Sequence, residues 1–187
     1  MSHNIQSQYL KPAFSQAKRK ELIDYAVKQL RKVKDLFDFI VVRGNSGLLI
    51  GPSVADRLNK PFGVVRKPSE KSHCWHIYEG ALFEKSGRYI IIDDLIDSGD
   101  TIVSIVETMN EYKAVCVGCY FYKVWFSYST DIKTLDEYNS VLSGIPNLGP
   151  FYTISGNPCS PNEPYAEGCV MLQTKKRMLA AQPKEMV

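Results

Sequence analysis

The sequence predicts one α/β domain built on a parallel sheet, with helices on both of its faces. Three observations lead there. Two continuous apolar runs, F-I-V-V at 39 to 42 and Y-I-I-I-D at 89 to 93, suit strands buried on both faces rather than a sheet with one wet side. Segments with apolar residues three and four apart stand between such runs, as crossover helices require. Each run also ends in a turn rich in Gly, Ser and charged residues, where the chain leaves the sheet. The 187 residues are enough for one well-buried core.

The elements follow in order. Ser15 is placed to cap a helix reaching about Phe37, because Leu22, Ala26, Leu30, Val33 and Phe37 recur at helical spacing opposite a basic face. The strand at 39 to 42 is closed by R-G-N-S-G. Residues 48 to 58 read as a helix, with Pro52 best tolerated in or near its first turn. F-G-V-V-R at 62 to 66 is a second short strand, and the polar K-P-S-E-K-S-H after it has nothing to bury, which marks a mobile surface loop. H-I-Y-E-G-A-L fits an edge strand. Y-I-I-I-D is the third buried strand, and Ile102, Ile105, Val106 and Met109 form the inner face of the next helix. A fourth strand covers about 114 to 122. Beyond Trp125 the pattern weakens to a short helix near 131 to 142, a Gly/Pro-rich linker at 144 to 150, two strand candidates, F-Y-T-I-S and C-V-M-L-Q, and a frayed last dozen residues.

Composition excludes several classes. Hydrophobic residues at 44% and charged residues at 23% are ordinary for a globular protein. No apolar run approaches the roughly 18 to 20 residues that cross a bilayer. The N-terminus, M-S-H-N-I-Q-S-Q-Y-L, lacks the basic and apolar segments of a signal peptide, so a cytoplasmic protein with no membrane partner is expected. The five cysteines, Cys74, Cys116, Cys119, Cys159 and Cys169, are odd in number and irregular in spacing, which argues for reduced thiols. A net charge of +3 is too mild to demand nucleic acid, and the basic clusters at 18 to 34 and 175 to 177 read as a solvated helix face and a tail. Cys116 and Cys119 form C-x-x-C, but their odd separation on a strand predicts opposite faces and no shared metal. His73, Cys74 and His76 lack a fourth ligand at suitable spacing for zinc.

The stretch I-I-I-D-D-L-I-D-S-G-D-T carries the chemistry. In an open parallel sheet ligands bind beyond the carboxyl ends of the strands, where Asp93 and Asp94 stand. The turn from Asp97 through Ser98, Gly99 and Asp100 to Thr101 opens a helix, whose backbone amides and hydroxyls suit a phosphate dianion. The acidic pair suits sugar hydroxyls or a hydrated Mg²⁺. A phosphatase of the D-x-D kind would need Asp where Leu95 stands, and neither G-x-x-x-x-G-K nor G-x-G-x-x-G occurs. Were the acids mere decoration, three carboxylates would share one edge without a counter-charge.

Sugar hydroxyls beside a phosphate describe a ribose 5-phosphate, and the stretch resembles the signature of the type I phosphoribosyltransferases: an apolar strand, two acids, two apolar residues and a phosphate loop. The resemblance covers about residues 37 to 125 of a single domain spanning 1 to 187. It implies that the flanks, 1 to 36 and 127 to 187, supply a small hood or oligomer contacts. It further implies that Asp93 and Asp94 hold the ribose hydroxyls of phosphoribosyl pyrophosphate (PRPP) and bind Mg²⁺ through water. Asp97, Ser98, Gly99, Asp100 and Thr101 would cradle the 5-phosphate. Arg43, Gly44, Asn45 and Ser46 stand where the family binds pyrophosphate, and the stretch from 66 to 73 resembles its basic flexible loop, with Arg66, Lys67, Lys71 and His73 as catalytic candidates. Asp100 departs from the pattern, since a carboxylate beside a phosphate is unfavourable unless it points to solvent or caps the helix.

The implied reaction is Mg²⁺-dependent transfer of a phosphoribosyl group to a nucleobase nitrogen, releasing pyrophosphate, by a homodimer. Lys123 would read a purine carbonyl, Trp125 would stack on the base and Asp97 would accept or steer its proton. Asp97 and Lys123 lean slightly towards a 6-oxopurine, whereas the basic loop argues for orotate or adenine. A rival function is a regulator that binds PRPP or a nucleotide as a signal, for which the basic helix speaks and the loop at 66 to 73 does not.

Overall fold

The apolar runs form the middle of a five-stranded sheet. The structure is a computed structural model that describes residues 10–68, 70, 75–81, 87–95, 98–122, 151–152, 158–159 and 170–182. The strands β1 (Phe39–Val42), β2 (Phe62–Val65), β3 (Tyr78–Gly80), β4 (Arg88–Asp93) and β5 (Val115–Phe121) lie in the order β3-β2-β1-β4-β5. β1 is parallel to β2 and β4, and β4 is parallel to β5, while β3 pairs antiparallel at the edge. Flanked on both sides, β1 is buried throughout, and so is β4 after Arg88.

Alternation along the strands feeds two apolar layers. Ile40, Val42, Ile90, Ile92 and Tyr120 face α2 (Gln16–Arg31) and α3 (Gly44–Leu58). Phe39, Val41, Tyr89, Ile91 and Phe121 face α4 (Asp100–Glu111), whose Ile102, Ile105, Val106 and Met109 are all buried as their spacing predicts. Each such aliphatic side chain contributes about 1.5–3 kcal/mol by leaving water. A short helix α1 (Lys11–Phe14) precedes α2, and α5 (Val170–Ala181) packs on α4.

Several boundaries differ from the sequence reading. Ser15 occupies the residue before α2 in an extended conformation, but its side chain makes no capping bond, and α2 ends at Arg31. A 3-10 turn (Lys34–Leu36) follows, and Phe37 is extended and fully buried, with Lys60 Nζ donating to its carbonyl at 2.6 Å. Phe37 thus keeps the apolar period without the helix, because the chain must straighten into β1. The helix expected from Leu48 begins at Gly44, so Pro52 sits in its interior and forgoes one ladder bond. C-V-M-L-Q was expected as a strand, yet Val170 to Gln173 open α5. Thr174 and Met178, four apart, are its buried face, a helical period that the shorter segment conceals. The last dozen residues were expected to be frayed, but α5 extends to Ala181.

The two cysteines share a face after all. Tyr89 pairs with Cys116 but Ile90 pairs with Gly118, so Val117 is an extra residue that shifts the alternation by one. Cys116 and Cys119 both enter the layer under α4, and no metal-binding group of three or more ligands occurs among the described residues. Phe151–Tyr152 (β6), the first part of F-Y-T-I-S, pairs antiparallel with Pro158–Cys159 (β7). The helix expected near 131 to 142 and the linker at 144 to 150 lie outside the described residues. Among the described residues no helix is long and apolar enough to cross a membrane.

Close approach of α3 to the sheet depends on Gly47. A β-carbon there would meet Val42 Cβ at 2.8 Å and the carbonyl oxygen of Ile92 at 3.0 Å, neither of them a flexible tip. Gly47→Ala should therefore destabilise the protein by about 1–3 kcal/mol, read as a lower urea midpoint at unchanged m-value.

Candidate active site

β1 and β4 are neighbours, yet the chain leaves β1 towards β2 and leaves β4 towards β5. That divergence opens a crevice beyond their carboxyl ends, the place where open α/β sheets bind ligands. A cavity of about 530 Å³ lies there, lined from the β1 side by Arg43, Gly44, Asn45 and Ser46 and from the β4 side by Asp93, Asp94, Leu95, Ser98, Gly99 and Thr101. Lys67, Leu10 and Ile102 complete its lining.

Local backbone chemistry makes the corner after β1. Gly44 has φ +63°, in the left-handed region open to glycine, and turns the chain straight from β1 into α3. The segment expected as a pyrophosphate-binding loop is therefore the first turn of a helix, with its amides free of intrahelical partners. Ser46 is held twice: Tyr122 Oη donates to its carbonyl at 2.8 Å, and its own hydroxyl donates to Asp93 Oδ1 at 2.6 Å. Asp93 Oδ1 also accepts the Asp94 amide at 2.9 Å.

The acidic pair is buried, Asp93 being 5% exposed and Asp94 7%. Burial pushes the Asp93 carboxyl up to about 7, and the neighbouring Asp94 charge adds to that, while the Ser46 hydroxyl opposes it. Arg43, only 6% exposed, has its guanidinium pulled down by burial and supported by the Glu70 and Asp93 charges. It donates to the Arg66 carbonyl at 2.9 Å, and its Nε has no partner among the described residues. A buried donor with spare capacity beside a cavity suits an anionic ligand.

On the other wall, Gly99 has φ +80° and precedes α4, so the chain turns sharply before the helix amides begin. Ser98 Oγ donates to Asp100 Oδ2 at 2.8 Å and accepts the Asp100 amide at 3.2 Å. Asp100 Oδ1 accepts from Arg177 of α5 at 2.7 Å. Asp100 is 71% exposed, stands in the first turn of α4 and points to solvent. The Arg177 and Ser98 bonds hold its carboxyl below the ordinary range.

The structure thus brings together Arg43 to Ser46, Lys67, Asp93, Asp94, Ser98, Gly99 and Thr101. Arg66 is elsewhere: its guanidinium bonds the edge strand through Glu79, at 2.9 Å, and the His76 carbonyl, and it does not line the cavity. Asp97, Lys71, His73, Lys123 and Trp125 lie outside the described residues. Sequence reasoning missed Leu10, which a lone apolar residue before α1 did not signal. It also missed Arg177 and Thr174, some 75 residues beyond the loop they touch, for which no local pattern exists.

A mostly parallel sheet thus sets two buried acids, a glycine turn at a helix start and a buried guanidinium round one cavity, at the place where open α/β folds bind ligands. No family model matches the chain. An adenine phosphoribosyltransferase from Campylobacter concisus is 33% identical over 122 residues, 56% of this chain and 67% of that one. One from Thermotoga petrophila is 30% identical over 124 residues, covering 54% and 72%. One from Mycoplasmopsis synoviae is 27% identical over 108 residues, and the matched part spans 64% of its length. Among solved structures, Saccharomyces cerevisiae adenine phosphoribosyltransferase, complexed with an imino-altritol bisphosphate and adenine, has a TM-score of 0.50 at 23% identity, covering 58% of this chain and 69% of that one. Francisella tularensis orotate phosphoribosyltransferase has a TM-score of 0.50 at 16% identity, covering 68% and 65%. These two show the fold. The chain belongs to the type I phosphoribosyltransferase family, a family of enzymes.

Proposed function

We propose that the protein transfers the 5-phosphoribosyl group of PRPP to a ring nitrogen of adenine, releasing pyrophosphate. One observation carries the reading: a single cavity joins the buried acids Asp93 and Asp94 to the turn at 98 to 101 and to the buried guanidinium of Arg43. In the reaction the bond from ribose C1 to the pyrophosphate oxygen breaks, a C1 to nitrogen bond forms, and the base gives up a proton. Positive charge builds on the ribose ring as that bond breaks, so fixing both anionic ends of the substrate is most of the task.

The residues divide accordingly. Asp93 and Asp94 accept the ribose hydroxyls, and the turn from Ser98 to Thr101 takes the 5-phosphate through backbone amides and the Ser98 and Thr101 hydroxyls, with the Asp100 carboxylate turned outward. Arg43 and the first turn of α3, from Gly44 to Ser46, take pyrophosphate, with Lys67, Lys71 and His73 closing over it. Asp97 is assigned to the base proton and Lys123 and Trp125 to base binding, and Leu10 brings the N-terminal flank to the cavity as part of the hood. Arg66 acts through the edge strand that it ties down.

Mg²⁺ fits the acids. Two adjacent carboxylates with no third ligand group among the described residues suit an ion that fills its shell from water and substrate oxygens. When bound it would neutralise the departing pyrophosphate.

The relatives' names favour adenine over the 6-oxopurine that Asp97 and Lys123 suggested, and nothing in them supports a 6-oxopurine. The test is pyrophosphate release from PRPP and Mg²⁺ with adenine, hypoxanthine, guanine or orotate in turn. Adenine should exceed the others in kcat/KM by at least about a hundredfold. Preference for hypoxanthine or guanine overturns the choice of base, and the absence of release with every base, despite nucleotide binding, points to a regulator instead.

A further inference from the structure

A carboxylate at the start of a phosphate-binding helix poses a problem that the structure answers from a distant part of the chain. Asp100 opens α4, one residue after the Gly99 turn, so its charge lies beside any phosphate held by the α4 amides. Its two oxygens are taken: Oδ2 by the Ser98 hydroxyl at 2.8 Å and Oδ1 by Arg177 at 2.7 Å. Arg177 reaches it because α5 is docked by its own buried face. Met178 enters the core beneath α4, and Thr174, 2% exposed, presses on the turn so closely that a β-carbon at Gly99 would stand 1.9 Å from its hydroxyl.

We infer that Arg177 is a positioning residue of the phosphate site, turning the Asp100 carboxylate towards α5 and offsetting its charge so that the 98 to 101 turn accepts a dianion. The inference rests on the reading of that turn as a 5-phosphate site. Asp100 and Ser98 form one bonded unit, so the ion pair also sets where the Ser98 hydroxyl stands. The pair is largely exposed and contributes little to stability by itself. Its effect is on the anion, whose interaction with an unopposed carboxylate is repulsive at short range.

The test is calorimetric binding of ribose 5-phosphate by the full chain, alongside steady-state kinetics in PRPP. Arg177→Ala should weaken ribose 5-phosphate and raise KM for PRPP about three- to tenfold, with kcat within about twofold. Arg177→Lys, which keeps the charge, should recover most of the loss. Asp100→Asn introduced into the Arg177→Ala chain should recover it too, because the charge that needed opposing is gone, and the loss should shrink at high salt. Unchanged binding by Arg177→Ala overturns the inference alone, as does a double variant as weak as Arg177→Ala, which would leave Arg177 only the docking of α5. A native chain that binds no ribose 5-phosphate overturns the phosphate site and the inference together, whereas binding without turnover removes only the transfer reaction.

Discussion

The chain carrying Asp93→Asn and Asp94→Asn should form no detectable product, a loss of at least about a thousandfold in kcat/KM, while still unfolding cooperatively. Asparagine keeps the shape of each side chain, and its oxygen still accepts the Ser46 hydroxyl and the Asp94 amide that hold position 93 in place. What it loses is the charge that, on the proposed reading, holds two ribose hydroxyls and a hydrated cation. A 1 Å slip of the sugar at either anionic end is enough to cost about a hundredfold, so geometry and charge both matter. The measurement is pyrophosphate release together with a denaturant curve. Undiminished turnover in that double variant overturns the assignment of the acids.

Asp93→Asn alone should make the protein more stable at pH 8 and leave it little changed at pH 4. Burial holds the Asp93 carboxyl at about 7 against an ordinary 3.8, so the native state keeps a proton that the unfolded chain has released between those values. Native stability from this group is therefore present at low pH and falls as pH rises from about 4 to about 7. The full penalty is about 4 kcal/mol at most, and about 2 kcal/mol is a realistic expectation once water and Asp94 share the charge. Urea unfolding at pH 4 and pH 8 measures it, and a stability difference equal at both pH values rejects the account. On the proposed reading, sugar hydroxyls and a cation would offset that cost when bound.

Much of this was legible in local pattern. The buried strands F-I-V-V and Y-I-I-I-D announced themselves because a central parallel strand must be apolar on both faces, a demand written into consecutive residues. The face of α4 was readable from a 3.6-residue period, and Asp93 with Asp94 from their place at a strand end. Boundaries were less legible. α3 starts four residues early because Gly44 alone can make the corner after β1, a fact about one φ value rather than about composition. The bulge at Val117 reversed the faces of the cysteine pair, since one inserted residue flips every later side chain and leaves no mark in the sequence.

The sequence by itself determined the sheet core, the acidic pair and the turn that opens α4, because strand burial, charge and turn chemistry are properties of neighbouring residues. Only the tertiary structure decided how those parts are held. It ties Ser46 to Asp93 across 47 positions, turns Arg66 away to the edge strand and sets Arg177 of α5 on Asp100. Those contacts join residues far apart in the chain, and the packing of helices on the sheet, which no local period encodes, is what brings them within hydrogen-bonding reach.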